Sequence, residues 1–176
     1  MTILYNQKMK RGENLGYVGT FLKQFRDVAK LCNDQNIKIV SNAGGLNPAS
    51  MAAEVENIIK ELNLDLKVAY IDGDDLMPRL DELGSSGEKL KNIDKNNDLF
   101  SYEKKPLTAN AYLGAWGIKE ALDNGADVVI CPRVTDAAVV IGPAAWKFNW
   151  SRNDYDQLAG ALAAGHIIEC GAQATG

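Results

Sequence analysis

The chain has 176 residues, a length that favours one domain and suffices to bury a core without disulfide or metal staples. Hydrophobic residues make up 46% and charged residues 24%, which excludes a mainly disordered protein. The net charge of −4 excludes the basic surplus of a duplex-binding domain, and no apolar run reaches the roughly 18 residues of a transmembrane helix.

The number and spacing of the cysteines and histidines limit which disulfides and metal sites the protein can form. The three cysteines are far apart in the chain and form neither a zinc-binding spacing nor a disulfide framework. His166 is the single histidine, which weakens every multi-histidine metal site. Residues Met1–Arg11 lack an apolar core followed by a small-residue cleavage site, so a signal peptide is not expected. We therefore expect a reduced, cytoplasmic setting, no membrane or nucleic-acid partner and no metal.

The first half of the chain predicts one helix followed by a strand–helix–strand unit. Apolar residues at three- and four-residue intervals predict an amphipathic helix over Tyr17–Cys32. Buried strands are expected at Ile37–Ala43 and Leu66–Ile71, with a helix over Ala49–Leu62 between them that Asn47 caps. Such a unit indicates parallel strands joined by a right-handed crossover.

The second half begins with a short predicted helix over Leu76–Leu83. Residues Gly84–Pro106 lack periodicity and are rich in small and polar residues, so we interpret them as a flexible surface excursion, which also suits a lid. Thr108 is a suitable cap for a helix ending near Asp123, and the apolar run Ala126–Cys131 predicts a third buried strand. The remaining predicted elements are helices over Ala137–Trp146 and Asp154–Ala164 and an irregular tail over Gly165–Gly176.

The alternation of strands and helices predicts an α/β fold with a mainly parallel sheet and flanking helices, in a Rossmann-like three-layer arrangement. We expect one domain or subunit over residues 1–176. Only three strands are predicted, and parallel sheets normally hold more. The sheet therefore either lacks strands or is completed by another chain.

Polar and glycine residues follow all three predicted strands, at the edge where open α/β sheets bind ligands. After the first strand, Gly44 and Gly45 would let backbone amides approach an anion at a helix N-terminus, although an ordinary turn capped by Asn47 explains them equally well. The aspartates Asp72, Asp74 and Asp75 after the second strand suit a divalent cation or a ribose hydroxyl. Helix capping explains them more simply.

The third strand end and the tail supply further candidates. Arg133 suits a bidentate clamp on a carboxylate or phosphate, or alternatively an internal ion pair with Asp136. His166, close in sequence to Glu169, suits a general base, or alternatively a packed and hydrogen-bonded histidine. Cys170 is better explained as a small apolar side chain than as a nucleophile.

Four strings, Lys38–Pro48, Asn110–Ala115, Gly125–Ala137 and Ala164–Gly176, together resemble the acyclic terpene utilisation (AtuA-like) family. The resemblance covers the chain from about Asn36 onward and implies a link to the breakdown of branched acyclic terpenoid or isoprenoid-type acids. It also implies members that extend further at both ends. The residues that match the family's motifs are Asn42, Gly44, Gly45, Asn47, Asn110, Arg133, Asp136, His166, Glu169, Cys170 and Gln173.

Three functions follow as hypotheses, and the third is a nucleotide-binding α/β domain, for which the sequence has no phosphate-binding fingerprint. The first is an enzyme of acyl-CoA or carboxylate catabolism, with CoA entering as part of the substrate and no cofactor required by the sequence. In it, the catalytic candidates are His166, Asp136 and Glu169, and the substrate-binding candidates are Asn42, Gly44, Gly45, Asn47, Asn110, Arg133 and Gln173. The second is a non-catalytic binding or assembly subunit, a homo-oligomer or the partner of a co-encoded chain, that completes a larger α/β complex.

Overall fold

A computed structural model of the protein describes residues 1–12 and 14–175. In this part of the chain the strands are β1 (Ile39–Ser41), β2 (Val68–Tyr70) and β3 (Val128–Ile130). The α-helices are α1 (Thr2–Arg11), α2 (Thr20–Asp34), α3 (Pro48–Glu61), α4 (Leu80–Ser85), α5 (Trp116–Asp123), α6 (Ala138–Lys147) and α7 (Tyr155–Cys170). Short 3-10 helices lie at Met77–Arg79, Leu99–Ser101 and Gly171–Thr175.

The three strands form one parallel sheet in the order β1-β3-β2. Ile39 of β1 and Val68 of β2 both pair with Val128 of β3. The predicted α/β class with a parallel sheet is therefore confirmed, and each strand lies within its predicted range. The strands on either side of α3 are not neighbours in the sheet, because β3 lies between them.

The central strand β3 is buried on both faces, which explains its unbroken apolar sequence. Val128 and Ile130 contribute to a core with residues of α2 and α3. Val129 and Cys131 contribute to a second core with residues of α5 and α6. Alternate side chains of one strand thus hold helices on opposite faces of the sheet.

The helix predicted from Thr108 to Asp123 is wrong in its first half, since α5 begins only at Trp116. Residues 109–113 lie instead between the segments that follow β2 and β3. The amide of Ala111 donates to the Asp74 carbonyl (2.8 Å), and the amide of Leu113 donates to the Arg133 carbonyl (3.1 Å). These long-range hydrogen bonds satisfy backbone groups that a helix would have used, and local sequence does not reveal them.

The irregular tail predicted from Gly165 is also wrong, because α7 continues to Cys170. Gly165 is buried within α7, where a Cβ would lie 2.9 Å from the Cβ of Ala137. Close helix packing therefore explains this glycine, and it does not end the helix.

The segment between α4 and residue 106 is mainly exposed and contains the short helix Leu99–Ser101. Its Phe100 ring lies over Gly84, 2.9 Å from where a Cβ would stand. Flexibility of this excursion stays a prediction, as does the assignment of residues 1–176 to one domain.

An ion pair joins the strands at their amino ends. The Nζ of Lys38 lies 2.6 Å from Oδ1 of Asp127, just before β1 and β3, and Oδ2 of Asp127 accepts the Lys67 amide (2.8 Å), just before β2. Partial burial opposes ionisation of Asp127. The hydrogen bonds and positive charges of Lys38 and Lys67 outweigh this effect, so the pKa of Asp127 lies below its ordinary value.

This pair predicts an acid-sensitive contribution to stability. A carboxyl group with a pKa lowered by folding stabilises the protein above its unfolded pKa of about 3.9 and loses that contribution as the pH falls through the folded pKa. Asp127→Asn should therefore lower the free energy of unfolding at neutral pH by about 1–2 kcal/mol, and by less below about pH 4. Urea unfolding across this pH range measures the difference, and a constant gap at all pH values would contradict it.

Candidate functional site

The connections that leave β1 and β3 run to opposite faces of the sheet. The helix after β1 is α3, which packs on one face, whereas the helix after β3 is α6, which packs on the other. Adjacent parallel strands with this divergence define the place where open α/β sheets bind ligands. The loops at this place are residues 42–47 and 131–137, which hold most of the predicted site residues.

The two loops touch at Gly44. Its amide donates to the Cys131 carbonyl (3.1 Å), and a Cβ on Gly44 would stand 2.6 Å from that oxygen. Only glycine allows this approach of backbone to backbone. Gly45 has a φ of 56° and is covered by the side chain of Leu4 from α1.

The amides that follow are bonded within the protein. Leu46 donates to the Gly16 carbonyl (2.8 Å), and Asn47 donates to the Gly44 carbonyl (2.9 Å). The side-chain oxygen of Asn47 accepts from the Ser50 amide (3.2 Å) and caps α3, as predicted. Roles of Gly44, Gly45 and Asn47 in binding an anion stay predictions.

A buried carboxylate, that of Asp74, joins the segments after β2 and β3. Asp74 is 5% exposed, and its Oδ2 accepts from Nδ2 of Asn110 (2.9 Å) and from the amide of Arg133 (3.2 Å). The adjacent Asp75 instead caps the turn after β2 by accepting the Met77 amide (2.9 Å). The three aspartates of the predicted cluster therefore have different environments, with Asp72 exposed.

Arg133 presents its guanidinium at the surface of this edge. The group lies over the ring of Tyr112, 4.5 Å from the centroid, and Nη2 donates to the Tyr112 hydroxyl (2.9 Å). Among the described residues no carboxylate lies within 4.0 Å of it, so the alternative of an ion pair with Asp136 is not observed. The contacts with Tyr112 thus favour this orientation of the guanidinium, and no carboxylate of the described residues pairs with its charge.

A second group of predicted residues lies in an open groove between the loop after β3 and α7. The groove has a volume of about 460 Å³, and Asp136 and His166 both line it, with Thr135, Ala137, Ala159, Leu162 and Ala163. Cys170 follows one turn later, with its Sγ 3.8 Å from Nδ1 of His166 and 3.1 Å from Oε2 of Glu169. The three predicted catalytic residues are therefore close together.

Cys170 is not activated as a nucleophile in this arrangement. Its hydrogen bond to Glu169, followed by desolvation and the negative charges of Glu169 and Asp136, raises the pKa of the thiol. A thiol rather than a thiolate is favoured. The buried apolar environment expected as the alternative is not observed, because Cys170 is only partly buried and its thiol donates to Glu169.

The remaining predicted residues stand apart. Asn42 is exposed beside the end of β1, and Gln173 is exposed in the turn Gly171–Thr175 after α7. The side-chain amide of Asn110 is engaged by Asp74 and forms part of the support beneath Arg133. The structure thus places the predicted site in two groups, around Arg133 and around His166, at the two ends of the loop 133–136.

The sequence did not identify Asp74 or Tyr112 as the supports of Arg133. Asp74 was one of three similar aspartates, and nothing in the local sequence distinguishes the buried one. Tyr112 lies in one of the motifs on which the family resemblance rests. Because a helix was predicted for this segment, its position beside the loop after β3 was not foreseen.

Comparison with known proteins identifies one family. The family model described as acyclic terpene utilisation family protein AtuA matches residues 1–176. The match therefore includes the first 35 residues, which the resemblance noted from the sequence did not cover. No curated protein and no solved structure gives a match. In the described part of the chain, no helix combines the length and apolar character needed to cross a membrane.

The arrangement around Asp74 predicts unequal effects of two substitutions. Asp74→Ala should lower the free energy of unfolding by about 1–3 kcal/mol, because it leaves two partly buried donors without their acceptor. Asp74→Asn should cost clearly less, because one amide oxygen placed where Oδ2 now lies accepts both bonds. Urea unfolding of both variants, with exposed Asp72→Ala as the control, measures the contrast. Equal losses in the two Asp74 variants would contradict this role.

Proposed function

The chain belongs to the acyclic terpene utilisation (AtuA) family, and from this premise we propose that it acts on branched acyclic terpenoid or isoprenoid-type acids or their acyl-CoA thioesters. Both substrate forms carry anionic groups, either a carboxylate or the phosphates of CoA. A site for them needs a cation that is free to bind and held in position.

The orientation of Arg133 carries the proposal. Its guanidinium is stacked on Tyr112, and its backbone is tied to buried Asp74. Because the guanidinium is positioned before binding, less conformational entropy is lost when a carboxylate or phosphate binds to it. Arg133 follows the central strand β3, at the edge of the sheet where ligands of α/β proteins bind.

The groove that contains His166 supports a role in proton transfer. An imidazole can accept or donate a proton near neutral pH. Asp136 lines the same groove as His166, and Glu169 contacts the Cys170 thiol beside it. We assign His166, Asp136 and Glu169 as the catalytic candidates of an enzyme of carboxylate or acyl-CoA catabolism. Substrate contacts from Asn42, Gly44, Gly45, Asn47, Asn110 and Gln173 belong to the same proposal.

The wider setting is proposed on the same basis. Cores on both faces of the sheet support a Rossmann-like three-layer fold. The residues of the site require no cofactor beyond CoA as part of the substrate. The widely separated cysteines support a cytoplasmic location.

A second candidate function is a binding or assembly subunit, and the open edge of β2 favours it. Within the described residues β2 pairs only with β3. The Ile71 amide donates to the Ile130 carbonyl, so Ile71 and alternate residues face β3. Val68 and Tyr70 therefore direct their backbone groups away from the sheet, and the Tyr70 residue is 49% exposed.

Grooves flank this edge between α3 and α5. One of about 570 Å³ includes Ile59, Leu66 and Val68, and another of about 350 Å³ includes Tyr70 and Gly117. An unpaired strand with space on both sides is a template for a strand of another chain. A second copy of the protein is the simplest source of that strand.

The enzyme proposal predicts that Arg133→Ala weakens binding of a branched terpenoid acyl-CoA about tenfold to hundredfold, since charge-assisted hydrogen bonds contribute about 1.5–3 kcal/mol. Isothermal titration calorimetry measures the affinity. Arg152→Ala is the matched control, because Arg152 also stacks on an aromatic ring, that of Trp116 (4.8 Å). An unchanged affinity in Arg133→Ala would remove Arg133 from the site.

The assembly proposal predicts that the purified chain self-associates and that Tyr70→Lys weakens this association about tenfold, because like charges would face each other across the paired edges. Sedimentation equilibrium measures the dissociation constant. Tyr155→Lys, at an exposed position of α7, is the control. A well-folded wild-type chain that stays monomeric at all concentrations would contradict this function.

A further inference from the structure

A cavity of about 240 Å³ lies between α1 and the segments that follow β1 and β2. Its walls come from four separate parts of the chain, and none of the residues singled out as site candidates lines it apart from Asp75 of the aspartate cluster. The lining residues are Tyr5, Lys8, Met9, Leu46, Asp75, Met77, Leu107 and Thr108.

The sheet topology locates this cavity. Leu46 follows β1, whereas Asp75 and Met77 follow β2, and β3 lies between these two strands in the sheet. A space lined by residues that follow both outer strands therefore lies at the carboxyl edge of the sheet. This is the same edge at which Arg133 emerges, although Arg133 does not line the cavity.

Helix α1 closes the cavity through side-chain contacts. Leu4 covers Gly45, and Cδ of Lys8 lies 3.5 Å from where a Cβ on Gly16 would stand. In the described part of the chain, the hydrogen bonds of Thr2–Lys10 stay within the helix or join it to the flanking residues Met1 and Gly12.

The lining combines an apolar wall with one cation. Met9, Leu46, Met77 and Leu107 supply the apolar surface, and flexible methionine side chains adapt to branched chains. Lys8 has no carboxylate within 4.0 Å among the described residues, and the nearby Asp75 is engaged in capping the Met77 amide. The volume of about 240 Å³ accommodates a short aliphatic chain.

We infer that this cavity binds a small branched aliphatic carboxylic acid, with the hydrocarbon against the methionine and leucine side chains and the carboxylate paired with Lys8. The ligand class rests on the proposed function. The hydrocarbon portion of the substrate thus binds at a site distinct from Arg133. Helix α1 is the element that covers the bound acid.

Calorimetric titration with a saturated branched terpenoid acid tests the assignment. Lys8→Gln should weaken binding about tenfold, whereas Lys10→Gln, an exposed position on the same helix outside the cavity, should leave it unchanged. Met9→Trp should also weaken binding by occupying the cavity. Its control is Ile3→Trp, since both side chains are largely exposed and only Met9 lines the cavity.

The outcomes separate this inference from the proposed function. If the wild type binds the acid and both Lys8→Gln and Met9→Trp bind it equally well, the cavity is not its site, whereas a loss of thioester binding in Arg133→Ala would still support the proposed function. If Lys8→Gln and Met9→Trp weaken binding and their controls do not, the cavity assignment holds whatever the effect at Arg133. A wild-type chain that binds neither the acid nor its CoA thioester overturns both.

Discussion

The burial of one carboxylate, that of Asp74, governs the arrangement of the carboxyl edge of the sheet. A buried carboxylate must be hydrogen-bonded, and its donors come from Asn110 and from the backbone of Arg133. These bonds, together with the backbone hydrogen bonds of Ala111 and Leu113, hold residues 109–113 beside the loop after β3. Arg133 stacks on Tyr112 where these segments meet, which forms the candidate anion site.

The loop 133–136 joins the two groups of candidate site residues, a proposed anion-binding group and a proposed proton-transfer group. At its first residue a guanidinium is held in place by Tyr112, and at its last residue Asp136 shares a groove with His166. Gly44 brings the loop after β1 against the start of this region, where a larger residue would collide with the Cys131 carbonyl. Glycine thus allows close backbone approach at this edge, at Gly44, and close helix packing, at Gly165.

Two features border the small sheet. One is the side of β2 that has no paired strand among the described residues, which is bordered by grooves along α3 and α5. The other is the cavity between α1 and the segments that follow β1 and β2. Each described strand has three residues, so the open β2 edge is short.

The sequence by itself determined the α/β class, the positions of all three strands, the cap at Asn47 and the family, because apolar periodicity, capping chemistry and motif strings are local properties. It identified Arg133, Asp136 and His166 as candidate site residues, but it did not give their positions relative to one another. Only the tertiary structure decided the strand order, the extended course of residues 109–113, the length of α7 and the role of Asp74. Each of these depends on hydrogen bonds or packing between segments far apart in the chain, which no local pattern encodes.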